Sequence, residues 1–210
     1  MPTLSALQVM QDAPVLPVMV LNDGAHAVPL ARALLAGGIR MLEVTLRTPC
    51  ALDCIAQIAR ELPQAVVGAG TVRNAADVQA AADAGARFLV SPGYTPAIGR
   101  AARAAGLPLL PGVATGSEIM MALDDGYTEL KFFPALQAGG TAMLKAWSGP
   151  FAELRFCPTG GVTEQNARDF LLLPNVACVG GSWLAPVDAL ARQDWTLITQ
   201  RAAQAVQLRP

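Results

Sequence analysis

Apolar runs and helical stretches alternate along the chain. Short runs rich in Val, Leu and Phe end on Gly, Pro, Ser or Thr, and an Ala-rich stretch with helical spacing follows each. The strand-like runs are VLPVMVL (15–21), MLEVTLR (41–47), AVVGAGTV (65–72), RFLVSPG (87–93), PLLPGVA (108–114), ELKFFP (129–134), LRFCPTGG (154–161) and VACVGGSWL (176–184). Segments between them include HAVPLARALLAGG (26–38), AADVQAAADAG (75–85) and SEIMMALDDG (117–126), and several close on Gly, the usual helix C-cap. Ser117 with Glu118, and Thr163 with Glu164 and Gln165, read as helix starts.

Eight strand–helix units, spaced by roughly 20 to 25 residues, predict parallel strands with both sheet faces covered. We expect one α/β domain over residues 1–210, a single (β/α)8 TIM barrel. A short N-terminal helix within Thr3–Gln11 would cap its bottom. An open Rossmann-like sheet is the alternative, but no GxGxxG follows the first strand.

Strand side chains alternate faces. In MLEVTLR, Leu42, Val44 and Leu46 share the face that packs on helices, which turns Glu43, Thr45 and Arg47 inward. In ELKFFP, Leu130 and Phe132 go outward while Lys131 and Phe133 go inward. Barrel interiors are normally filled with branched apolar residues, so inward charges need a reason. Glu43 and Arg47 alone would make a self-satisfied ion pair. Lys131 alone would snorkel to solvent. Together, one lysine, one carboxylate and one arginine on inward positions of two strands make a constellation. Lys131 is also one of only two lysines, with Lys145, against thirteen arginines. Apolar walls and a nearby cation disfavour an ammonium ion and favour a neutral amine, the form that attacks carbonyls to give Schiff bases.

Strand ends supply further candidates. Thr71 closes VVGAGT, where its hydroxyl and nearby amides suit a carboxylate shared with Arg47. TGG (159–161) and GGS (180–182) end the last two strands, the place where barrels often hold phosphate.

Composition narrows the classes. At 53% hydrophobic and 15% charged, the 210 residues exclude a disordered chain. Net charge is −1 with scattered basic residues, so a nucleic-acid partner is not expected. The longest uncharged run, Phe170 to Val187, contains Pro174, Gly180, Gly181 and Pro186 and does not read as a membrane span. The first basic residue is Arg32, so the N-terminus lacks the charged start of a signal peptide. Four cysteines without a CxxC read as free thiols of a cytoplasmic protein. A single histidine, His26, argues against a metal centre, and no cofactor is expected.

EVTLRT (43–48), GAGTV (68–72), SPG (91–93), KFFPA (131–135), RFCPTGG (155–161) and GGSWL (180–184) resemble, in order and spacing, the 2-keto-3-deoxy-6-phosphogluconate (KDPG) aldolases. The resemblance covers nearly the whole chain. It implies a (β/α)8 barrel, metal-free class I aldolase chemistry and a homotrimer. It implies a Schiff base on Lys131 and acid/base work by Glu43. Arg47 and Thr71 would hold the pyruvate carboxylate, with Pro92 and Phe133 lining the pocket and Thr159 lying between the two ends of the substrate. Gly160, Gly161 and Ser182, in a loop pair that includes Gly180 and Gly181, would take the phosphate. The chain departs from the family at ALQAGG (135–140), where an acidic residue and an asparagine are more usual, and at VATGSE (113–118). Aldolases acting on the galactonate epimer or on 4-hydroxy-2-oxoglutarate share this chemistry. A non-enzymatic sugar-phosphate sensor on the same barrel would need no reactive lysine.

Overall fold

The structure, a computed structural model, describes residues 4–208. It opens with helix α1 (Ala6–Gln11), started by a capping box between Ser5 and Gln8. Thr3 lies outside the described residues. Strands β1 (Val15–Met19), β2 (Met41–Thr45), β3 (Val66–Gly70), β4 (Leu89–Val90) and β5 (Leu109–Leu110) follow, separated by helices α2 (Ala27–Ala36), α3 (Ala51–Glu61), α4 (Ala75–Asp83) and α5 (Pro96–Ala104). The second half holds β6 (Gly112–Val113), α6 (Gly116–Asp124), β7 (Glu129–Phe132), α7 (Gly140–Trp147), β8 (Arg155–Pro158), α8 (Ala167–Leu171), β9 (Val179–Gly181), α9 (Val187–Ala191) and α10 (Trp195–Val206).

The strands build a curled, all-parallel half-barrel with helices outside. One sheet has the order β5-β4-β3-β2-β1-β9 and a second β6-β7-β8. The run 108–114 joins them: β5 pairs with β4 and β6 with β7, with Pro111 between the two pieces. Proline has no N–H to donate to a ladder, so the single strand expected here divides at that residue. Helix α6 is capped two residues earlier than expected. Its N-cap is Thr115, in a capping box with Glu118, and Ser117 lies inside the first turn. Helix α8 starts at Ala167, where residues 163–166 form a turn closed by Thr163 N–H donating to Asn166 Oδ1.

Apolar side chains separate into two cores. Leu42, Val44, Leu130 and Phe132 pack outward with the helices. Val9 and Met10 of α1 fill the concave side with Leu16, Met41, Phe88, Val90, Leu110, Cys157 and Cys178. The strand starts on that side are therefore plugged by α1, which leaves the strand ends as the open face. No helix among the described residues is long and apolar enough to cross a membrane.

Candidate active site

Alternation along β2 and β7 turns Glu43 and Lys131 to the concave side, as the outward burial of their neighbours requires. In register, Glu43 faces Val18 of β1 and Gly68 of β3, and Lys131 faces Gly112 of β6 and Cys157 of β8. Both are buried, at 1% and 4% exposure. Lys131 Nζ lies 3.7 Å from Glu43 Oε1, within ion-pair reach but too long for a hydrogen bond. Glu43 Oε1 has no hydrogen-bond partner among the described residues. The ammonium also sits 5.1 Å from the centroid of the Phe133 ring, a cation–π contact. Removing two charges from water costs several kcal/mol per ion, on the order of what good pairing returns. A pair this buried and this loosely bonded is therefore poorly explained as a stabilising device.

Room for the Glu43 carboxylate comes from Gly70. A Cβ at that position would stand 2.1 Å from Oε1, so any side chain there displaces the carboxylate. Thr45, between Glu43 and Arg47, is satisfied internally: its hydroxyl donates to Met19 O at 2.9 Å.

Arg47 emerges beyond the end of β2, exposed, and its Nε donates to Thr71 Oγ1 at 3.2 Å. Thr71 has φ +60°, a left-handed conformation that a β-branched residue rarely adopts. Strain of this kind persists where surroundings hold it, characteristically at functional sites. The guanidinium makes no salt bridge among the described residues, so its charge is available to an anion.

A cavity of about 270 Å³ opens at the strand ends. Arg47, Phe133, Thr159, Gly160, Gly161, Gly180, Gly181 and Ser182 line it. Eight of the sequence-derived candidates thus meet in one space. Thr71 joins them through its bond from Arg47. Pro92 does not line the cavity; its carbonyl carbon would lie 2.4 Å from a Cβ on Gly112, the partner of Lys131, so it backs the lysine strand. Val18, Val20 and Val162 complete the lining. Val18 lies in β1 and Val20 just past its end, two positions apart and so on the same face of the chain. Gly70 carried no signal, because a pattern of glycines does not say which side chain uses the space they leave.

The cavity glycines have separate causes. Gly160 and Gly161 have φ +95° and +74°, open to glycine at no cost. The carbonyls of Thr159 and Gly160 accept from Ala135 N–H at 2.8 Å and Leu136 N–H at 3.0 Å, which pins this turn to the connection after β7. Gly180 makes way for Thr159, whose Oγ1 would be 2.1 Å from a Cβ there.

Fold and site together form a centre suited to lyase chemistry: a buried amine beside a carboxylate on the concave side of an α/β sheet, against Phe133 of a strand-end cavity that an arginine and glycine-serine turns also line. Lys131 and Glu43 do not themselves line that cavity. The chain matches the aldolase family described as KDPG and KHG aldolase over residues 7–201. It is 51% identical to the KHG/KDPG aldolase of Escherichia coli (strain K12) over 203 residues, covering 97% of this chain and 95% of the relative. A crystal structure of KDPG aldolase from Legionella pneumophila, with pyruvate captured at low pH as a covalent carbinolamine intermediate, superposes with a TM-score of 0.94 at 46% identity, covering 96% of this chain and 98% of that one. The KDPG aldolase of Zymomonas mobilis ZM4 with 3-phosphoglycerate gives a TM-score of 0.91 at 49% identity, covering 96% and 94%. The chain belongs to the KDPG and KHG aldolase family.

Proposed function

We propose that this protein is a class I aldolase that cleaves 2-keto-3-deoxy-6-phosphogluconate to pyruvate and glyceraldehyde 3-phosphate. The observation that carries the reading is the buried Lys131 amine 3.7 Å from Glu43, against the Phe133 ring that lines the cavity. The neutral amine of Lys131 attacks the C2 ketone, forming a C–N bond and a carbinolamine. Loss of water leaves an iminium. Glu43 takes the proton of the C4 hydroxyl, the C3–C4 bond breaks, and its electron pair flows into the iminium to give an enamine. Glyceraldehyde 3-phosphate departs as the aldehyde. Protonation of the enamine at C3 and hydrolysis of the resulting iminium release pyruvate and restore the lysine. One group that both takes and gives a proton serves these steps, which suits a carboxylate held beside the reacting carbon. Arg47 offers its planar donors to the substrate carboxylate, steadied by Thr71. Ser182 and the glycine turns take the phosphate.

The reading extends to architecture. Isolated parallel bridges Phe156–Val176 and Thr159–Gly180 join the segment of β8 to that of β9, which supports closure into a single-domain (β/α)8 barrel. We also place the enzyme in the cytoplasm, supported by four free cysteines, and read it as a homotrimer, which is what the resemblance noted in the sequence implies.

The test is incubation with pyruvate and borohydride followed by peptide mass mapping. Label should fall on Lys131 and not on Lys145; label on Lys145, or none, overturns the assignment. A second substrate is argued by the name of the Escherichia coli relative, which covers KHG as well as KDPG. 4-Hydroxy-2-oxoglutarate presents the same 2-keto carboxylate to Lys131 and Arg47. The galactonate epimer of KDPG differs only at C4. Steady-state rates on all three rank them.

A further inference from the structure

The glycine-serine turns read as the phosphate site contain no lysine or arginine, and the one cation among the residues lining the cavity, Arg47, is assigned above to the substrate carboxylate. What fixes the Ser182 turn comes from outside it. Trp183 follows Ser182 directly, and its indole folds back over Gly181, where a Cβ would stand 1.7 Å from Cζ3 of the ring. The carbonyl of the same Trp183 accepts a hydrogen bond from Arg201 Nη1, on α10, at 2.8 Å. Residues 181–183 are thus clamped twice, by a ring on a glycine and by a guanidinium on a carbonyl. Arg201 has no salt bridge among the described residues. Glu164 borders the same crevice as Trp183 and Arg201 without pairing to it. The guanidinium therefore spends its bond on the turn and leaves its positive charge close to the residue that follows Ser182. Charge-assisted bonds of this kind are about twice as strong as neutral ones.

We propose that Arg201 is a positioning residue for substrate phosphate, holding Gly181 and Ser182 in place through the Trp183 carbonyl. The assignment rests on the reading of these turns as a phosphate site. It makes the C-terminal helix part of substrate selection, although Arg201 itself touches no reacting atom.

The experiment compares kcat/KM for phosphorylated KDPG and for its unphosphorylated counterpart, in the full-length protein and in Arg201→Met, Arg201→Gln and Arg201→Lys. Inorganic phosphate serves as a competitive probe. Arg201→Met keeps an apolar stem against Trp183 but loses the donor. It should lower kcat/KM for the phosphorylated substrate about tenfold, the scale of one charged hydrogen bond. The inhibition constant of phosphate should rise by a similar factor. Turnover of the unphosphorylated substrate and pyruvate trapping at Lys131 should be unchanged. Arg201→Lys should recover part of the loss. Should Arg201→Met fail to fold, Arg201→Gln, which keeps a neutral donor, should show a smaller change of the same kind. Equal losses on both substrates, or an intact preference for phosphate in the folded variants, overturns the role of Arg201. Equal kcat/KM in the unmodified protein instead sinks the phosphate reading and this proposal with it.

Discussion

Glu43 and Lys131 face each other at 3.7 Å across the concave side of the sheet, both buried and not hydrogen-bonded to each other. Carboxylate and amine are therefore close enough to act on one small molecule without being locked in a bond that must first break. Their roles should separate cleanly. Glu43→Gln should still be trapped by pyruvate and borohydride at Lys131 while kcat falls about 10²-fold or more, the usual worth of a general acid/base. Near-full turnover in this variant would return Glu43 to a structural ion pair.

Gly70 offers a way to disable the same carboxylate without altering it. A methyl at this position would meet Glu43 Oε1 at 2.1 Å, so Gly70→Ala should push the side chain aside. The variant is expected to copy Glu43→Gln, with trapping kept and kcat reduced on the order of 10²-fold. The double variant should be little worse than either single one, because the two changes remove the same function. Additive losses would show that Gly70 acts elsewhere.

Phosphate recognition should register in turnover as well as in affinity, since binding energy from a remote group can position the bond that breaks. Removing the phosphate from the substrate should lower kcat/KM at least about tenfold, equivalent to roughly 1.4 kcal/mol. Gly161 has φ +74°, and a Cβ on it would stand 2.5 Å from Leu136 Cβ. Gly161→Leu should thus erase most of that preference while pyruvate trapping continues. A preference that survives the substitution would move the phosphate away from this turn.

Burial first, and the neighbouring Cys50 second, push the Cys54 thiol up to about 12. A thiol is nucleophilic only as the thiolate, so raising the pH from about 8 to about 10 should leave Cys54 unreactive in the folded protein. Half-buried Cys50 should take iodoacetamide first, and Cys54 only after unfolding. Labelling of Cys54 at the rate of an exposed thiol, read by peptide mass, would contradict this.

The alternation of MLEVTLR and ELKFFP already divides helix-facing from inward residues, because a parallel strand covered by helices must bury one face regardless of detail. That rule puts Glu43 and Lys131 on the concave side, where they are buried; Arg47, expected inward by the same rule, stands exposed because β2 ends at Thr45 and the alternation no longer holds it. Pro111 was visible in the sequence, yet its effect depended on which neighbour each half of the run would pair with. Gly180 and Gly181 read as anion-binding glycines; in the structure they also clear space for Thr159 and the Trp183 ring. Gly70 and Arg201 were silent for one reason. Each acts on a partner distant in the chain, through a space or a carbonyl, and neither leaves a mark in local periodicity.

Helix α1 decides more than how the strand starts are covered. With Val9 and Met10 packed beside the strand starts, the concave side has an apolar floor there and its cavity at the strand ends. With Lys131 as the Schiff-base lysine proposed above, breaking C3–C4 frees the aldehyde fragment while pyruvate stays covalently held. Glyceraldehyde 3-phosphate should then leave first and pyruvate last, and in the synthetic direction pyruvate should enter first. A short apolar helix that takes no part in the chemistry thus closes one side of the sheet to this traffic.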